Sequence, residues 1–528
     1  MGTQVLANAR IHSLNPKSPH TKTLVIQDEH IIAVGDEKEI SPNTFSNARR
    51  INLNGHVVLP AFTDAHIHLL SYGLSLKRIN CETSTKAECI QQVIEIIDKT
   101  PPGNWVLGHG WNHNIWPDGS PSKKDLDAIS NVHPVYLTHK SLHSAWLNSC
   151  ALVIAGISRD TPDPVGGKIG RMPDGAPDGI LYESARQMVE KVIPVPDETT
   201  RLEAISAAQI ALNKLGISSV HDFDGWDCYE TLSKMESDKQ LKLKVVKSIP
   251  YPYLNQAIES GLKSGDGDNL LSIGWLKLFA DGALGPQTAA MLSPYENSGS
   301  TGMLLLDAKE LVEIGQKTLR AGISLAVHAI GDLANREVLD GYAQLFKNNL
   351  LQLPKLNPRI EHVQLIHPMD SARLAQMGIT ASMQPIHAVS DRDIADRHWG
   401  TRCETAYAWK MIRESNENLV FGSDAPVESP NPFWGLFAAV SRSSLGNEPT
   451  RSSWTPEQRI SLKEAFESYT YRPQTLGRPG RKSGRLQAGF YADLIILPLD
   501  PFNLPSEKLP SFLPKATMIN GEWVYFDF

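Results

Sequence analysis

The sequence predicts an α/β protein: a TIM-type (β/α)8 barrel with a large insertion after strand 1, plus a small composite β-sandwich built from both termini. Three observations support this prediction. Short apolar strands alternate with amphipathic helices through the middle of the 528 residues, and both ends of the chain are rich in strands. In addition, the first connection of the barrel is far too long for a single β/α unit.

The strand-rich ends, residues 1–58 and 485–528, are predicted to form the composite sandwich. Each segment is too short to bury a hydrophobic core alone, so pairing of the two is the economical solution. Asn520-Gly521 between two apolar runs is typical of a two-residue hairpin turn. The predicted strands are Thr3–Ala7, Thr23–Gln27, Ile31–Val34, Arg50–Leu53, His56–Leu59, Gly489–Leu497, Ala516–Ile519 and Glu522–Phe526.

Residues 59–484 are predicted to form the barrel, because eight strand candidates follow one another with helical segments between them. Most successive strands are about one β/α unit apart, roughly 30 residues. The first connection covers about 150 residues, so the segment of about 71–200 is interpreted as an insertion that caps the carboxyl face of the barrel. The predicted barrel strands are Thr63–His68, Ile217–Val220, Leu243–Ile249, Trp275–Phe279, Ser324–His328, Arg359–Val363, Ile379–Met383 and Leu419–Gly422.

The composition restricts the kind of partner and the location. Hydrophobic residues make up 41% of the chain, charged residues 21%, and the net charge is −7. A mildly acidic chain without lysine and arginine blocks argues against nucleic acid or a membrane surface, so a small-molecule substrate is expected. The sequence contains no apolar stretch of membrane-spanning length and does not begin like a signal peptide. Five scattered cysteines without a CxxC pair favour a reducing cytoplasm.

The first predicted barrel strand ends in Asp64-Ala65-His66-Ile67-His68. Residues i and i+2 of a strand point to the same face, so His66 and His68 could both reach one metal ion. Imidazole nitrogen is a preferred ligand of Zn²⁺. Taken alone, the pair is equally compatible with two incidental histidines.

Four more ionisable residues, Lys277, His328, His362 and Asp424, follow the apolar runs of later strands. Their separations of 51, 34 and 62 residues correspond to one, one and two β/α units. Barrels of this type carry their active sites at the carboxyl ends of the strands, where these side chains are expected to meet. A lysine buried there without a partner is costly, and modification to a metal-bound form would remove that cost.

These segments together resemble the metal-dependent amidohydrolase superfamily, and specifically amidohydrolase family 3, which includes N-substituted formamide deformylase-like enzymes. The resemblance spans nearly the whole chain. One departure is Ala61, which follows Pro60 where many relatives have glycine, and it does not affect a ligand position. The segments that carry the resemblance are 59–68, 179–183, KLFADG at 277–282, VHAIGD at 327–332, RIEHVQ at 359–364, FGSDAPV at 421–427 and 484–494.

The resemblance implies hydrolysis of an amide-like C–N bond, other than a peptide bond, by a metal-activated hydroxide. It implies one or two zinc ions, with Mn, Fe or Ni as alternatives, and carbon dioxide bound to Lys277 as a carbamate that bridges two metals. Asp424 is implied to be both a metal ligand and the general base and acid. The implied metal ligands are His66, His68, Lys277, His328, His362 and Asp424.

Four residues, His143, Glu183, His387 and Arg402, are weaker candidates for substrate binding. A surface or capping role for the histidines and an ion pair for the other two are equally compatible with the sequence. The alternative functions are a deaminase or isomerase of the same superfamily and a non-catalytic scaffold on the same fold. Lys277 argues against the deaminase, whose branches usually lack it, and the six ligand positions argue against the scaffold. A homodimer is compatible with this architecture.

Overall fold

A computed structural model of the chain describes residues 2–16, 20–40, 48–113, 116–117, 119–139, 144–164, 167–296, 298–350, 357–415, 418–445, 452–478 and 480–528. The chain divides into two compact units, Met1–Tyr72 with Ile205–Phe528, and Gly73–Ala204. Within the described residues, none of the helices has the length and apolar character needed to cross a membrane.

The strands are numbered in chain order. They are β1 (Thr3–Ala7), β2 (Arg10–His12), β3 (His20–Thr21), β4 (Thr23–Gln27), β5 (His30–Gly35), β6 (Arg49–Asn52), β7 (Val57–Pro60), β8 (Phe62–Ile67), β9 (Ile79–Asn80), β10 (Val106–Trp111), β11 (Val135–His139), β12 (Ser144–Leu147), β13 (Gly167–Arg171), β14 (Pro177–Glu183), β15 (Ile217–Asp222), β16 (Lys244–Pro250), β17 (Leu271–Phe279), β18 (Ser324–Ala329), β19 (Arg359–His362), β20 (Thr380–Met383), β21 (Leu419–Phe421), β22 (Leu494–Leu497), β23 (Ala516–Ile519) and β24 (Glu522–Phe526).

The α-helices are numbered in the same way. They are α1 (Leu69–Ser75), α2 (Lys86–Ile97), α3 (Lys123–Asp127), α4 (Ser149–Ile154), α5 (Gln187–Glu190), α6 (Glu198–Lys214), α7 (Trp226–Ser237), α8 (Leu254–Glu259), α9 (Ala308–Arg320), α10 (Asp332–Lys347), α11 (Pro368–Gln376), α12 (Pro385–Ser390), α13 (Arg392–Trp399), α14 (Trp409–Ser415), α15 (Pro432–Ser441), α16 (Leu462–Tyr469) and α17 (Tyr471–Gly477).

Eight parallel strands of the first unit form a nearly closed barrel, which confirms the predicted (β/α)8 barrel. Their order in the sheet, β8-β15-β16-β17-β18-β19-β20-β21, is also their order in the chain. The ends of the sheet meet where Asp424 N donates to His66 O at 2.7 Å and His68 N donates to Ala425 O at 2.9 Å. Parallel strands are covered on both faces, and this is why they appear in the sequence as short continuous apolar runs.

Glycine is required at one point of this closure. A Cβ atom on Gly422, directly after β21, would lie 2.4 Å from the backbone nitrogen of His66. Only a residue without a side chain allows the two strands to approach so closely. The GSD segment and the HxH segment are therefore held side by side by the backbone itself.

Two other sheets of the first unit contain strands from the terminal segments. The six-stranded sheet has the order β24-β23-β22-β7-β2-β3, and the four-stranded sheet has the order β5-β4-β1-β6. In the first sheet β7 pairs antiparallel with β22, with Leu494 opposite Pro60. Buried side chains from both sheets pack into one cluster that includes Leu6, Ile11, Leu24, Ile26, Val58, Leu494, Ile496 and Met518.

The second unit has a mixed sheet of its own, in the order β13-β14-β12-β11-β10-β9. Strands β9, β10 and β11 are parallel, whereas β11, β12, β14 and β13 pair antiparallel. Trp111 and Trp146 are fully buried in its core. The function of this unit as a cap on the barrel stays a prediction.

Candidate metal centre

Three side chains of ligand type form a buried cluster at the carboxyl end of the barrel. His66 on β8, His362 on β19 and Asp424 after β21 each offer one atom that lies within 4.8 Å of the other two. His66 Nε2 is 3.5 Å from Asp424 Oδ1. Strands that are far apart in the sequence therefore place two imidazoles and one carboxylate around a common point.

The backbone at this cluster adopts an unusual conformation. The φ angles of His362, Val363 and Asp424 are 76°, 45° and 61°, a region that residues with a Cβ atom rarely occupy. Such conformations cost of order 1–3 kcal/mol each and often mark functional sites. At His362 the conformation has a direct effect: strand alternation alone would direct Glu361 and His362 to opposite faces, yet both contact the ring of His66.

Glu361 determines the orientation of His66. Its Oε2 atom lies 2.6 Å from His66 Nδ1, and Arg359 Nη2 donates to the same oxygen at 3.0 Å. Although burial opposes its charge, Arg359 and His66 hold the pKa of Glu361 well below its usual range. Burial, together with the charge of Lys277, lowers the pKa of His66 to about 4. His66 is therefore a neutral imidazole with Nδ1–H bound to Glu361, which leaves Nε2 as a ligand atom.

His362 is held in the same way. Its Nδ1 atom is 2.9 Å from Oε1 of Gln384, which directly follows β20. Burial lowers the pKa of His362 well below that of a free imidazole. The neutral ring donates Nδ1–H to the amide oxygen, so Nε2 keeps a lone pair for a metal ion.

His68 and His387 complete the surroundings of Asp424. His68 Nε2 lies 3.3 Å from Asp424 Oδ1, and His387 Nε2 on α12 lies 3.9 Å from Asp424 Oδ2. The His387 ring stacks on that of His362 with a centroid separation of 6.4 Å. The carboxylate thus has imidazoles beside both of its oxygens.

His328 and Lys277 lie on neighbouring strands of the same end. The ring centroids of His328 and His362 are 4.5 Å apart, while His328 Nε2 is bound to the Gly282 carbonyl oxygen at 2.8 Å. Lys277 Nζ lies 4.7 Å above the ring of Phe223 and makes no hydrogen bond or ion pair with the described part of the chain. Burial lowers the pKa of Lys277 to about 8, although Glu361 and Asp424 oppose this effect.

The four weaker candidates for substrate binding do not all lie beside this cluster. His143 lies outside the described residues, and Glu183 ends β14 without a described side chain. Arg402 donates to the carbonyl oxygens of Ser293 at 2.7 Å and Pro294 at 2.8 Å, so its guanidinium holds a loop in this structure. Of the four, His387 is placed beside the cluster.

Asp64 is a residue that the sequence analysis overlooked. Its Oδ1 atom accepts from the backbone N–H groups of His66 at 3.1 Å and Ser423 at 2.9 Å, and its Oδ2 atom accepts from the Ser423 hydroxyl. It therefore ties β8 to the turn that carries Asp424. Its position two residues before His66 was a usable signal, since an acid inside a buried strand needs several donors.

Asp281 was overlooked as well. Its carboxylate accepts from the backbone N–H groups of Ala290, Ile330 and Gly331 and lies 3.5 Å from His328 Nε2. These contacts fix the loop after β17 against the end of β18, which carries His328.

A second group, Asp222, Asp224 and Cys228, also places ligand-type atoms within 4.8 Å of one another. It already contains a cation, because Lys247 Nζ lies 2.9 Å from Asp222 Oδ2 and donates to the Asp224 carbonyl oxygen. The first cluster has the donors that a divalent metal prefers: two neutral imidazoles with their remote nitrogens fixed, and one carboxylate. A divalent metal ion fits this cluster.

Comparison with known proteins gives a consistent result. A sequence model of the amidohydrolase family matches residues 49–525. The protein named "Putative amidohydrolase YtcJ" from Bacillus subtilis is 31% identical over 98% of this chain and 98% of its own length. N-substituted formamide deformylase from Arthrobacter pascens is 23% identical over 98% of this chain and 97% of its own. The crystal structure of an uncharacterized metal-dependent hydrolase from Pyrococcus horikoshii has a TM-score of 0.80 and 28% identity, and covers 96% of this chain and 99% of its own.

Proposed function

The chain belongs to the amidohydrolase family, and we propose that it is a metal-dependent hydrolase that cleaves an amide-like C–N bond other than a peptide bond. Family membership and the metal-dependent hydrolase among its structural neighbours support hydrolase activity in general. The observation that carries the finer proposal is the buried convergence of His66, His362 and Asp424 at the carboxyl end of the barrel. The formamide deformylase among its relatives acts on an amide, which favours this substrate class.

We assign zinc as the metal and divide its ligands into two groups. His66 and His68 would hold one ion, and His328 and His362 a second one, with Asp424 facing both histidines of the first pair. A bound divalent ion would supply Lewis acidity, both to the scissile carbonyl and to the attacking water. His66 and His362 already have fixed, neutral tautomers with Nε2 free to bind a metal, so these two ligands need no change of protonation.

Asp424 is the proposed general base and acid. Burial opposes its ionisation, but His66, His68 and His362 hold the pKa of Asp424 well below its usual range. The ionised carboxylate accepts a proton from the attacking water through one oxygen and then delivers it to the leaving amine. His387 Nε2 lies 3.9 Å from the other oxygen, which is beyond hydrogen-bond distance, so His387 is proposed to bind the substrate.

Lys277 is proposed to react with carbon dioxide. Its pKa of about 8 leaves part of the amine neutral at neutral pH. Attack of the Nζ lone pair of the neutral amine on carbon dioxide forms an N–C bond and releases one proton, which gives a carbamate anion. Starting from the ammonium, two protons leave in total. Such an anion is compatible with the neighbouring imidazoles and could bind two metal ions, whereas a free ammonium would repel them.

The experiment is metal analysis followed by an activity screen. Purified protein is stripped, reloaded with Zn, Mn, Fe or Ni, and tested on formamides, N-acyl amino acids, cyclic imides and lactones. We expect His362→Ala to lose metal and turnover together. His12→Ala is the matched control, because His12 is also a buried histidine bound to a polar partner, but it lies in the sandwich. Wild-type protein that takes up no metal on soaking would contradict the proposal and favour the non-catalytic scaffold.

A further inference from the structure

A buried polar network lies behind His68, on the side away from Asp424. His68 Nδ1 is 3.3 Å from Oδ1 of Asp224, which follows β15, while Nε2 is directed to Asp424. His68 therefore lies between two carboxylates, one beside the metal cluster and one behind it. No motif in the sequence assigns a function to Asp224.

Asp224 is itself held in place from several sides. Ser71 donates to both of its carboxylate oxygens, from the hydroxyl to Oδ1 at 2.8 Å and from the backbone N–H to Oδ2 at 2.9 Å. Its backbone N–H donates to Asp222 Oδ2 at 3.3 Å, and its carbonyl oxygen accepts from Lys247 Nζ. Since both carboxylate oxygens and both backbone groups are bound, the position of the Oδ1 atom that faces His68 is closely fixed.

His68 needs such a partner more than His66 does. The His68 side chain retains 30% of its solvent exposure, compared with 1% for His66. Surrounding atoms enclose the ring of His66 almost completely but leave nearly a third of the His68 side chain exposed, so packing constrains the rotamer of His68 less. A hydrogen bond from Nδ1 selects both the rotamer and the tautomer.

We propose that Asp224 is a positioning residue that fixes His68 for metal binding, an inference that rests on the proposed metal-dependent function. With the Nδ1 proton held by Asp224, Nε2 presents its lone pair to the metal, and the carboxylate increases the basicity of the ring. The group of Asp222, Asp224 and Cys228 is therefore a support for the metal cluster and not a separate metal site, since Lys247 already supplies its cation.

The test compares two buried carboxylates that each bind a histidine. Asp224→Ala and Asp224→Asn are the test variants, and Asp500→Ala is the matched control, because Asp500 Oδ2 binds His12 Nε2 at 3.0 Å in the sandwich. Zinc affinity is measured by competition with a chromophoric chelator, and the visible spectrum of the cobalt-substituted protein reports the ligand geometry. Loss of an orienting partner typically weakens metal binding by about 10–100-fold. We expect this loss for Asp224→Ala, with an altered cobalt spectrum.

The zinc affinity of Asp224→Asn should lie between that of Asp224→Ala and that of the Asp500→Ala control, because an amide oxygen can still accept from His68 Nδ1. If the alanine variant does not fold, Asp224→Asn and Ser71→Ala provide the same comparison at smaller amplitude. Zinc affinity and cobalt spectra like those of the Asp500→Ala protein would overturn the inference while leaving the hydrolase proposal intact. A wild-type protein that binds neither zinc nor cobalt would overturn both.

Discussion

Two buried groups of ligand-type side chains lie at the same end of the barrel. In each group the ligand atoms lie within 4.8 Å of one another, but the chemistry differs. We call them the metal cluster (His66, His362 and Asp424) and the lysine cluster (Asp222, Asp224 and Cys228). In the lysine cluster the positive charge is permanent, because Lys247 Nζ lies 2.9 Å from Asp222 Oδ2. In the metal cluster the neighbours of the carboxylate are imidazoles.

On the proposed assignment, the compensating charge, and not the spacing of the ligand atoms, distinguishes the metal cluster from a structural ion pair. Burial opposes protonation of His68, but hydrogen bonds to Asp224 and Asp424 raise its pKa to about 10. The charge beside Asp424 is therefore an exchangeable proton on His68, which a metal ion can replace. The charge in the lysine cluster is attached covalently to β16 and cannot be replaced.

The largest effect is expected from Asp424→Asn. The amide cannot accept a proton from water and is a poorer metal ligand, so kcat/KM should fall by about 10⁴-fold, a typical upper value for loss of a general base. Steady-state kinetics with a substrate from the screen, together with the metal content, measure this effect. Asp500→Asn, which changes the carboxylate that binds His12 of β2, should keep its activity. An Asp424→Asn protein within tenfold of wild type would show that the metal cluster is not the catalytic site.

Lys247→Met should affect stability instead of chemistry. It leaves Asp222 and the Asp224 carbonyl oxygen buried without their cation, and removal of one partner of a buried pair costs about 3–5 kcal/mol. Urea denaturation measures the loss, and the metal stoichiometry at saturating zinc should not change. Lys242→Met is the control: its exposed pair with Glu522 should contribute less than about 1 kcal/mol.

Lys247→Met also tests whether the lysine cluster is itself a metal site. If Lys247→Met protein binds one more divalent ion than wild type, the lysine cluster is a metal site that only its lysine blocks. Unchanged stability would contradict the view that Lys247 is the cation that the two aspartates need.

The sequence predicted the barrel and the meeting of ionisable side chains such as His66, His362 and Asp424 at its carboxyl end, because both follow from local pattern. Apolar runs locate the strands, and a residue such as His328 that directly follows such a run must lie at the carboxyl end. Orientation is not local: Glu361 of β19 holds His66 of β8, a strand that is not its neighbour in the barrel, and Gln384, after β20, holds His362 of β19. These contacts depend on packing between strands. The role of Glu361 could nevertheless have been predicted from the sequence. Arg359 and Glu361 share one face of a buried strand, and such buried charges must be paired.

The lysine cluster illustrates the opposite case. His221-Asp222-Phe223-Asp224 follows a strand just as the HxH segment does, and by pattern alone it is an equally good ligand motif. Only the contact with Lys247 of β16 identifies it as an ion pair, because that contact depends on the register between β15 and β16.

Lys277→Ala tests the proposed carbamate, which would change the charge of the Lys277 side chain from positive to negative. Loss of the carbamate should remove the shared ligand and at least one metal ion, and lower kcat/KM by roughly 10–100-fold or more, since loss of metal support alone has an effect of that size. A short carboxylic acid added to the variant should restore part of both the metal content and the activity. The mass of the native loaded protein is the direct measurement: an unmodified Lys277 beside a single, fully occupied metal would exclude the binuclear arrangement.

The smallest effect concerns two lysines on β16, Lys244 and Lys247, which are both fully buried. Although burial opposes its charge, Asp222 raises the pKa of Lys247 above the ordinary lysine value. Lys244 binds Asp493 at 2.5 Å, but burial and the nearby Arg481 lower its pKa to about 8. The two pairs should therefore respond to alkaline pH with opposite signs.

Between pH 8 and 10.5 the unfolded chain holds more protons on Lys244 than the folded chain does, so this residue's contribution to stability rises with pH, by at most about 3 kcal/mol. The contribution of Lys247 is complete below pH 10.5, the unfolded value, and is lost as the pH rises through the higher folded value. Urea denaturation at pH 7, 8, 9 and 10 of wild type, Lys244→Met and Lys247→Met separates the two, because other titrating groups cancel in the differences. The stability of wild type relative to Lys244→Met should increase above pH 8, whereas that relative to Lys247→Met should stay constant up to pH 10. A constant difference for Lys244→Met would mean that Asp493 compensates the charge of Lys244 as fully as Asp222 compensates that of Lys247, and that one buried carboxylate is enough to hold a lysine charged on this strand.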